Sequence, residues 1–294
     1  MAEGLRREFI ETEIGAIHAV IAGEGPPLLM LHGYPQTHVM WFRIAPALAE
    51  RFTVVLPDLR GYGDSAKPHG DPRHETYSKR AMAGDQIAVM EALGFDTFQV
   101  VGHDRGARVA HRMALDHPEK VERLALLDII PTLTLFETVN QEVASGYYHW
   151  FFLIQPDGLP EHMIGRDPDF YLRQKLAAWN KSEGTFSDAA LAEYLRCFRD
   201  PAMIHASCED YRAGASIDLE HDRADRDRRI GCPTLVLWGA QGLMGRHYDV
   251  LGIWREKAVD VRGQALDCGH FLAEERPEET YDALIGFLDG AAVE

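Results

Sequence analysis

Short apolar runs alternate with helical patterns through the first 130 residues of the chain. Two runs around Gly15 predict an N-terminal hairpin, Phe9–Ile14 and Ala16–Ile21. Continuous apolar runs further on are typical of strands buried in a parallel sheet. These runs are Leu28–Leu31, Thr53–Leu56, Phe98–Val101 and Leu124–Ile130, the last with Asp128 near its carboxyl end. Ser78 is the expected N-cap of a helix ending at Gly94. The alternation predicts an α/β protein with a doubly wound, mostly parallel sheet.

The pattern changes at Pro131, where aromatic-rich helical segments replace the short β-like runs. The β-like pattern resumes at Pro233–Gly239 and again before Gly269-His270. We therefore predict a core made of residues 1–130 and 230–294, with residues 131–229 inserted as a helical cap. Such a cap would cover the carboxyl ends of the strands, where sheets of this class bind ligands.

A strand, a tight turn and a helix meet at Gly102-His103-Asp104-Arg105-Gly106. The apolar run Phe98–Val101 precedes this turn, and Ala107–Asp116 after it has helical spacing. The arrangement resembles the nucleophile elbow of the α/β-hydrolase fold, which needs glycines because the chain bends sharply and packs closely. Asp104 takes the place that a serine usually occupies, and no Gly-x-Ser-x-Gly supplies a rival.

The aspartate at the elbow limits the reactions that the site could catalyse. With an unperturbed pKa of about 3.9, a carboxylate is already an anion at neutral pH, whereas serine needs a base. Attack of Asp104 on a carbonyl would give a labile anhydride. Displacement at a saturated carbon that bears a leaving group or belongs to a strained ring suits it better. A serine esterase is therefore excluded at this position.

A carboxylate nucleophile leaves an ester on itself, so the reaction also needs a histidine to activate water and an acid to orient that histidine. His270 follows the last predicted strand, where this fold places its histidine. The acid often follows the next-to-last strand as Trp-Gly-x-x-Asp, but here the sequence is Trp238-Gly239-Ala240-Gln241-Gly242. Asp128 at the end of the preceding strand is the substitute that we predict, in preference to a mere turn or capping role.

Backbone N–H groups are expected to stabilise an oxyanion beside the nucleophile. One belongs to Tyr34, in the turn His32-Gly33-Tyr34 after a predicted central strand, and the other to Arg105. The side chains of Arg105 and Arg108 share a face at the start of the helix, where two guanidinium groups and the positive helix end favour a bound carboxylate. The alternative is that both arginines only neutralise Asp104 and neighbouring acids; we favour the substrate role.

The composition limits the partners and the compartment. A net charge of −16 argues against nucleic acids and anionic membrane surfaces as partners, although a local arginine cluster would still attract a small anion. Neither the first eight residues nor any later stretch provides a signal peptide or a membrane span, and the four cysteines have no C-x-x-C spacing, so we predict a cytoplasmic protein. Metalloprotease and phosphate-loop motifs are absent, so we expect neither a metal nor another cofactor.

Motifs in the core and in the predicted cap together resemble the fluoroacetate dehalogenases, and the similarity extends over nearly the whole chain. The motifs are Gly102-His103-Asp104-Arg105-Gly106-x-Arg108, Tyr148-His149-Trp150, Cys208-Glu209-Asp210-Tyr211-Arg212-Ala213-Gly214, His32-Gly33-Tyr34-Pro35-Gln36 and Leu127-Asp128-Ile129-Ile130-Pro131. Tyr34 is a departure, because the family commonly has phenylalanine there.

The resemblance implies a role for each matching residue. Asp104, His270 and Asp128 would be nucleophile, base and acid, and Arg105 and Arg108 would hold the substrate carboxylate. The departing fluoride would be bound by His149, Trp150 and Tyr211, whose N–H and O–H groups can replace its water. The resemblance further implies a homodimer. We therefore predict an enzyme that hydrolyses fluoroacetate, and other haloacetates, to glycolate and halide through an aspartyl ester.

Two other functions compete with this prediction. An epoxide hydrolase would use the same nucleophile, base and acid, with tyrosines such as Tyr147, Tyr148 or Tyr211 protonating the opening ring. The arginine pair argues against a neutral epoxide as the substrate. A non-catalytic binding protein of this fold could lose any catalytic residue without harm, whereas the sequence retains Asp104, Asp128 and His270 at their expected places.

Overall fold

The computed structural model describes residues 5–290 and contains one eight-stranded sheet. The strands are β1 (Arg6–Thr12), β2 (Gly15–Ala22), β3 (Pro27–Leu31), β4 (Thr53–Pro57), β5 (Phe98–His103), β6 (Val121–Leu127), β7 (Thr234–Gly239) and β8 (Val261–Leu266). Their order is β1-β2-β4-β3-β5-β6-β7-β8. The pairs β1–β2 and β2–β4 are antiparallel, and all pairs from β4 to β8 are parallel. The predicted fold class is thus confirmed.

The helices of the first part of the chain connect these strands. They are α1 (Ala45–Leu48), α2 (Lys79–Ala92) and α3 (Arg105–Asp116), with short 3-10 helices at His38–Trp41 and Glu75–Tyr77. Ser78 caps α2 as predicted, because its hydroxyl accepts a hydrogen bond from the Ala81 N–H at 3.2 Å. After β7 follow α12 (Leu243–His247), α13 (Val250–Lys257), α14 (Leu272–Glu275) and α15 (Pro277–Leu288).

Helices alone fill the chain between β6 and β7. They are α4 (Thr132–Thr138), α5 (Gln141–Gly146), α6 (Tyr148–Phe152), α7 (Leu159–Arg166), α8 (Pro168–Trp179), α9 (Asp188–Phe198), α10 (Pro201–Gly214) and α11 (Ile217–Ala224). We refer to residues 131–229 as the cap and to the rest as the core. The boundaries at 130/131 and 229/230 stay a prediction.

Two details concern the predicted ends of elements. The predicted N-terminal hairpin is present, but its first strand ends at Thr12, which pairs with Gly15, and not at Ile14. The strand predicted to run to Ile130 ends instead at Leu127, so that prediction is wrong. Asp128 adopts a φ of 54°, which turns the chain out of the sheet, while Ile129 and Ile130 are buried by other contacts.

The central parallel strands carry the core. The side chains of β3, β5 and the end of β6 are almost fully buried, because helices cover both faces of the sheet. Among the described residues, no helix is long and apolar enough to cross a membrane. Residues 1–4, which begin the segment judged to lack a signal peptide, lie outside the described part of the chain.

Candidate active site

The elbow after β5 places Asp104 at the centre of the sheet edge. Asp104 has a φ of 47°, and α3 starts at the next residue. A Cβ atom on Gly102 would lie 2.6 Å from the Cα of Ala107, and one on Gly106 would lie 2.3 Å from the carbonyl oxygen of His32. Only glycine fits these two positions, so the local sequence dictates the sharp turn that projects the aspartate.

Asp104, His270 and Asp128 come together although they are far apart in sequence. Nδ1 of His270 donates to Oδ2 of Asp128 at 2.5 Å, and its Nε2 lies 3.8 Å from Oδ2 of Asp104. The second oxygen of Asp128 accepts a hydrogen bond from the N–H of Gly239 at 3.0 Å. This bond fixes the carboxylate, so the imidazole is oriented with Nε2 towards Asp104.

The electrostatics match these positions. Burial alone would raise the pKa of Asp104, but His270 and the neighbouring cations outweigh it, so its pKa lies below the usual value. Burial would likewise lower the pKa of His270, but the hydrogen bond and charge of Asp128 raise it above the usual value. The site therefore contains a permanent carboxylate and, next to it, a base that titrates on the alkaline side of an ordinary histidine.

One of the two expected oxyanion donors contacts the carboxylate of Asp104. The N–H of Tyr34 donates to Oδ1 of Asp104 at 2.9 Å. The N–H of Arg105 makes no hydrogen bond to this carboxylate within the described chain, although it belongs to the adjacent residue. Oδ1 is thus held by the backbone, and Oδ2 is the oxygen that faces His270.

The two predicted carboxylate-binding arginines are both buried beside Asp104. Arg105 is held by Asp210, with Nε 2.9 Å from one carboxylate oxygen and Nη2 2.7 Å from the other. Nη1 of Arg108 donates to the carbonyl oxygen of Ile130 at 3.0 Å and to the hydroxyl of Thr132 at 2.9 Å. Nη1 of Arg105 and Nε of Arg108 have no hydrogen-bond partner among residues 5–290. Each guanidinium thus has a buried N–H donor that a ligand could accept.

Asp210 is a site residue to which the sequence analysis gave no role. Its carboxylate also forms an ion pair with Lys79 and accepts a hydrogen bond from the Tyr62 hydroxyl at 2.6 Å. Burial would raise the pKa of Asp210, but Arg105 and Lys79 hold it well below the usual value. Of the two arginines only Arg105 forms an ion pair within residues 5–290, and its partner is the neighbouring acid Asp210, so the neutralising role considered from the sequence applies to Arg105 in part. Burial lowers the pKa of Arg108 to about 10, which leaves it cationic at neutral pH.

The three side chains predicted to bind the halide, His149, Trp150 and Tyr211, belong to the cap and lie close to one another and to the two arginines. The ring centroids of His149 and Trp150 lie 5.4 and 5.6 Å from that of Tyr211. The guanidinium of Arg105 lies 4.2 Å from the Tyr211 ring centroid, and that of Arg108 lies 4.5 Å from the Trp150 centroid. Nδ1 of His149 and the hydroxyl of Tyr211 are buried without a partner in the described residues.

His149 is uncharged in this setting. Burial, with Lys175 and other cations adding to it, holds its pKa well below the usual value. A neutral imidazole retains one N–H that it can donate. His149 can thus donate a hydrogen bond beside Tyr211 and Trp150 without adding a further positive charge.

Two more residues of the site were missed from the sequence. Nε2 of His103 donates to the backbone oxygen of His270 at 2.7 Å, and burial lowers the pKa of His103 to about 3, so it stays neutral. The Trp179 ring lies 4.6 Å from that of His149 and 5.5 Å from that of His270. The position of His103 inside the elbow was a usable signal, whereas nothing in the local pattern singles out Trp179.

Within residues 5–290, one group has donor atoms close enough to hold a metal ion, namely His18, His38 and Asp58. Nδ1 of each histidine is already bonded to the Asp58 carboxylate, at 2.9 and 2.8 Å. Asp58 therefore already engages both Nδ1 atoms, and none of the three side chains belongs to the site around Asp104.

Comparison with known proteins identifies the class. A family model for the α/β hydrolase fold matches residues 26–277, and the chain belongs to this family. It is 48% identical over 292 residues to the fluoroacetate dehalogenase of Burkholderia sp., a match that covers 99% of this chain and 96% of that protein. This match confirms the resemblance seen in the sequence motifs.

Other relatives bear on the alternative function. The chain is 38% identical over 276 residues to the soluble epoxide hydrolase of Corynebacterium sp. strain C12, which covers 92% of this chain and 93% of that protein. The structure also matches the crystal structure of ALR0039 from Nostoc sp. PCC 7120 with a TM-score of 0.97 and 61% identity, covering 98% and 99% of the two chains. Both classes of enzyme thus occur among the relatives of this fold.

Proposed function

We propose that this protein is a hydrolase of carbon–halide bonds that converts fluoroacetate, and other haloacetates, to glycolate and halide. The observation that carries the proposal is the pair of buried arginine donors beside Asp104, near His149 Nδ1 and the Tyr211 hydroxyl of the cap, which likewise have no partner among residues 5–290. A haloacetate matches this arrangement at both of its ends, because its carboxylate would meet the arginine donors and its halogen would meet the donors of the cap. The 48% identity to a fluoroacetate dehalogenase supports the same activity.

In the first step, Oδ2 of Asp104 attacks the α-carbon while Arg105 and Arg108 bind the substrate carboxylate. The new C–O bond forms as the C–F bond breaks, and the electron pair of the C–F bond leaves with fluoride. We assign Oδ2 as the attacking atom because Oδ1 accepts the Tyr34 N–H. Fluoride is strongly hydrated in water, so hydrogen bonds from His149, Trp150 and Tyr211 would replace that water as it departs.

In the second step, Nε2 of His270 takes a proton from water, and the hydroxide adds to the Cγ atom of Asp104. Negative charge then develops on Oδ1, which already accepts a hydrogen bond from the Tyr34 N–H. The N–H of Arg105 would supply the second donor. The intermediate collapses with release of the glycolate oxygen, which receives the proton from His270. Ionisation restores the Asp104 carboxylate and releases one proton. Asp128 keeps the imidazole in the required tautomer.

Epoxide hydrolysis is the second candidate function. Tyr211 lies in the site, and its hydroxyl has no partner in the described part of the chain; the relative from Corynebacterium also supports this alternative. A neutral epoxide, however, would leave the buried Arg105 and Arg108 donors without a carboxylate, which is costly in a dry site. The homodimer and the cytoplasmic location predicted from the sequence are likewise proposals.

The decisive experiment measures fluoride release from fluoroacetate and diol formation from styrene oxide at one enzyme concentration. We expect fluoride release by the wild-type protein and none by Asp104→Asn, with Asp169→Asn at a surface ion pair as the matched control. Mass spectrometry of His270→Ala should find a carboxymethyl group on Asp104. Sustained fluoride release by Asp104→Asn without prior deamidation would refute the mechanism, and turnover of styrene oxide alone would favour the epoxide hydrolase. Tight binding of haloacetate without turnover would indicate a binding protein.

A further inference from the structure

A cavity of about 260 Å³ lies between the cap and the core and reaches the catalytic histidine. His270 and Asp128 are part of its wall, and Trp179 and Tyr148 line it from the cap. The cavity is thus bounded by His270 and Asp128, whereas Asp104, Arg105 and Arg108 do not line it. The reaction as proposed gives no role to this space.

Three cationic side chains line the same cavity, and we refer to Lys175, Lys181 and Arg246 as the mouth cluster. Lys175 and Lys181 belong to α8 and to the segment that follows it in the cap, and Arg246 belongs to α12 of the core. Lys181 and Arg246 are exposed, whereas Lys175 is buried. The positive charges therefore extend from the surface into the interior.

No member of the mouth cluster forms an ion pair within the described chain. Nζ of Lys175 lies 3.6 Å above the Tyr148 ring centroid, and Nζ of Lys181 donates to the carbonyl oxygen of Ala178 at 3.2 Å. Nε of Arg246 lies 3.3 Å from the carbonyl oxygen of Gly242. Their charges are thus not cancelled by contacting carboxylates, although the chain as a whole carries −16.

The acids near the mouth are already bonded to other groups. Asp128, the one carboxylate in the lining, accepts hydrogen bonds from His270 and Gly239. The carboxylate of Glu275 accepts the backbone N–H of Lys181 at 2.9 Å as well as other backbone donors, and not its ammonium group. The carboxylates of Asp128 and Glu275 therefore form no ion pair with the side chains of the mouth cluster.

Trp179 connects the mouth cluster to the catalytic residues. Nζ of Lys175 lies 5.6 Å from the Trp179 ring centroid, and the same ring lies 5.5 Å from that of His270. An anion that reaches Lys175 is therefore separated from the catalytic histidine by one aromatic ring.

We propose that this cavity is the passage by which the carboxylate substrate enters and the anionic products leave, and that Lys175, Lys181 and Arg246 attract anions into it. The proposal rests on the proposed function for the identity of the substrate. A cleft lined with one sign of charge raises the local concentration of an oppositely charged ligand and its association rate. Long-range repulsion by the net negative charge is screened at physiological salt, so the local cluster decides the outcome.

The test replaces the exposed members of the cluster. In Lys181→Glu/Arg246→Glu, kcat/KM for fluoroacetate at low salt should fall by roughly tenfold, mostly through a higher KM, and added salt should shrink the difference. Arg7→Glu/Arg173→Glu makes the same change in net charge at exposed positions that do not line the cavity, and it should stay within about twofold of the wild type. Equal losses in both variants would overturn the proposal.

A second measurement does not depend on turnover. Iodide and acrylamide both quench tryptophan fluorescence, and the part removed by Trp179→Phe reports access to the cavity. We expect iodide quenching of Trp179 to weaken several-fold in Lys181→Glu/Arg246→Glu, with acrylamide quenching unchanged. Unchanged iodide quenching would overturn the proposal. If the wild type released no fluoride but iodide quenching still responded, the proposed function would fail and the anion passage would stand.

Discussion

Substitution of Asp210 tests how Arg105, one of the two proposed carboxylate-binding arginines, is held in place. The substitution Asp210→Asn preserves the shape of the side chain but removes its charge. Arg105 then loses two charge-assisted hydrogen bonds, of 2.9 and 2.7 Å, and Lys79 loses its ion pair. All three side chains are buried, so Arg105 remains in the interior without its counter-ion, and Lys79 keeps only Asp218, whose carboxylate lies 3.6 Å from its Nζ.

The expected loss of stability follows from that burial. Removing one partner of a buried ion pair costs about 3–5 kcal/mol, because the remaining charge stays desolvated. In a chain of this size each kcal/mol lowers the melting temperature by roughly 2–4 °C, so we expect a drop of roughly 6–20 °C. The exposed pair between Asp169 and Arg199 is the matched control, and Asp169→Asn should cost at most about 1 kcal/mol.

The assay combines urea unfolding with steady-state fluoride release. Asp210→Asn should raise the KM for fluoroacetate, because Arg105 loses the partner that positions it. If both aspartate variants lost equal stability, or if Asp210→Asn kept the KM of the wild type, Asp210 would not position Arg105. Unfolding in the presence of acetate adds a check, since a bound carboxylate should restore part of the stability of Asp210→Asn.

Three further predictions concern the donors, the base and the elbow. Tyr211→Phe should lower kcat for fluoroacetate by roughly 10²-fold and for chloroacetate by less, measured as halide release; equal losses would argue against a fluoride contact. Activity should fall as the pH drops through the raised pKa of His270, since only the neutral imidazole accepts a proton. Asp128→Asn should move this limb to lower pH and cut kcat by roughly 10³–10⁴-fold, and an unmoved limb would contradict the pairing. Gly106→Ala should cost about 1–3 kcal/mol in urea unfolding. Its control Gly165→Ala, with open space around the new Cβ, should be neutral or stabilising; equal effects would contradict the close-packing argument.

Local signals accounted for the elements that could be predicted from the sequence. The glycines around Asp104 are required by the turn, so the elbow could be predicted. The apolar runs are long enough to be buried strands, so the parallel sheet could be predicted as well. The end of β6 could not be predicted, because Ile129 and Ile130 are buried and apolar without being part of a strand. Burial produces the same sequence pattern in both conformations.

Residues brought in by the tertiary fold escaped prediction. Asp210 lies 105 positions from Arg105, and nothing in its neighbourhood indicates that it pairs with the elbow helix. Trp179 likewise enters the site only because the end of α8 packs against the His270 loop. The pairing of His270 with Asp128 was predictable because both follow parallel strands whose carboxyl ends share one edge, and the geometry now adds a distance of 2.5 Å.

The contact between Arg105 and Asp210 has a mechanical consequence. Arg105 belongs to the elbow helix of the core, Asp210 to helix α10 of the cap, and Lys79 to helix α2 of the core. A movement of α10 away from the core would separate the Asp210 carboxylate from both Arg105 and Lys79. Under the proposed function, opening of the cap and loss of the partner that positions Arg105 would therefore be a single event, which favours ligand exchange without such an opening.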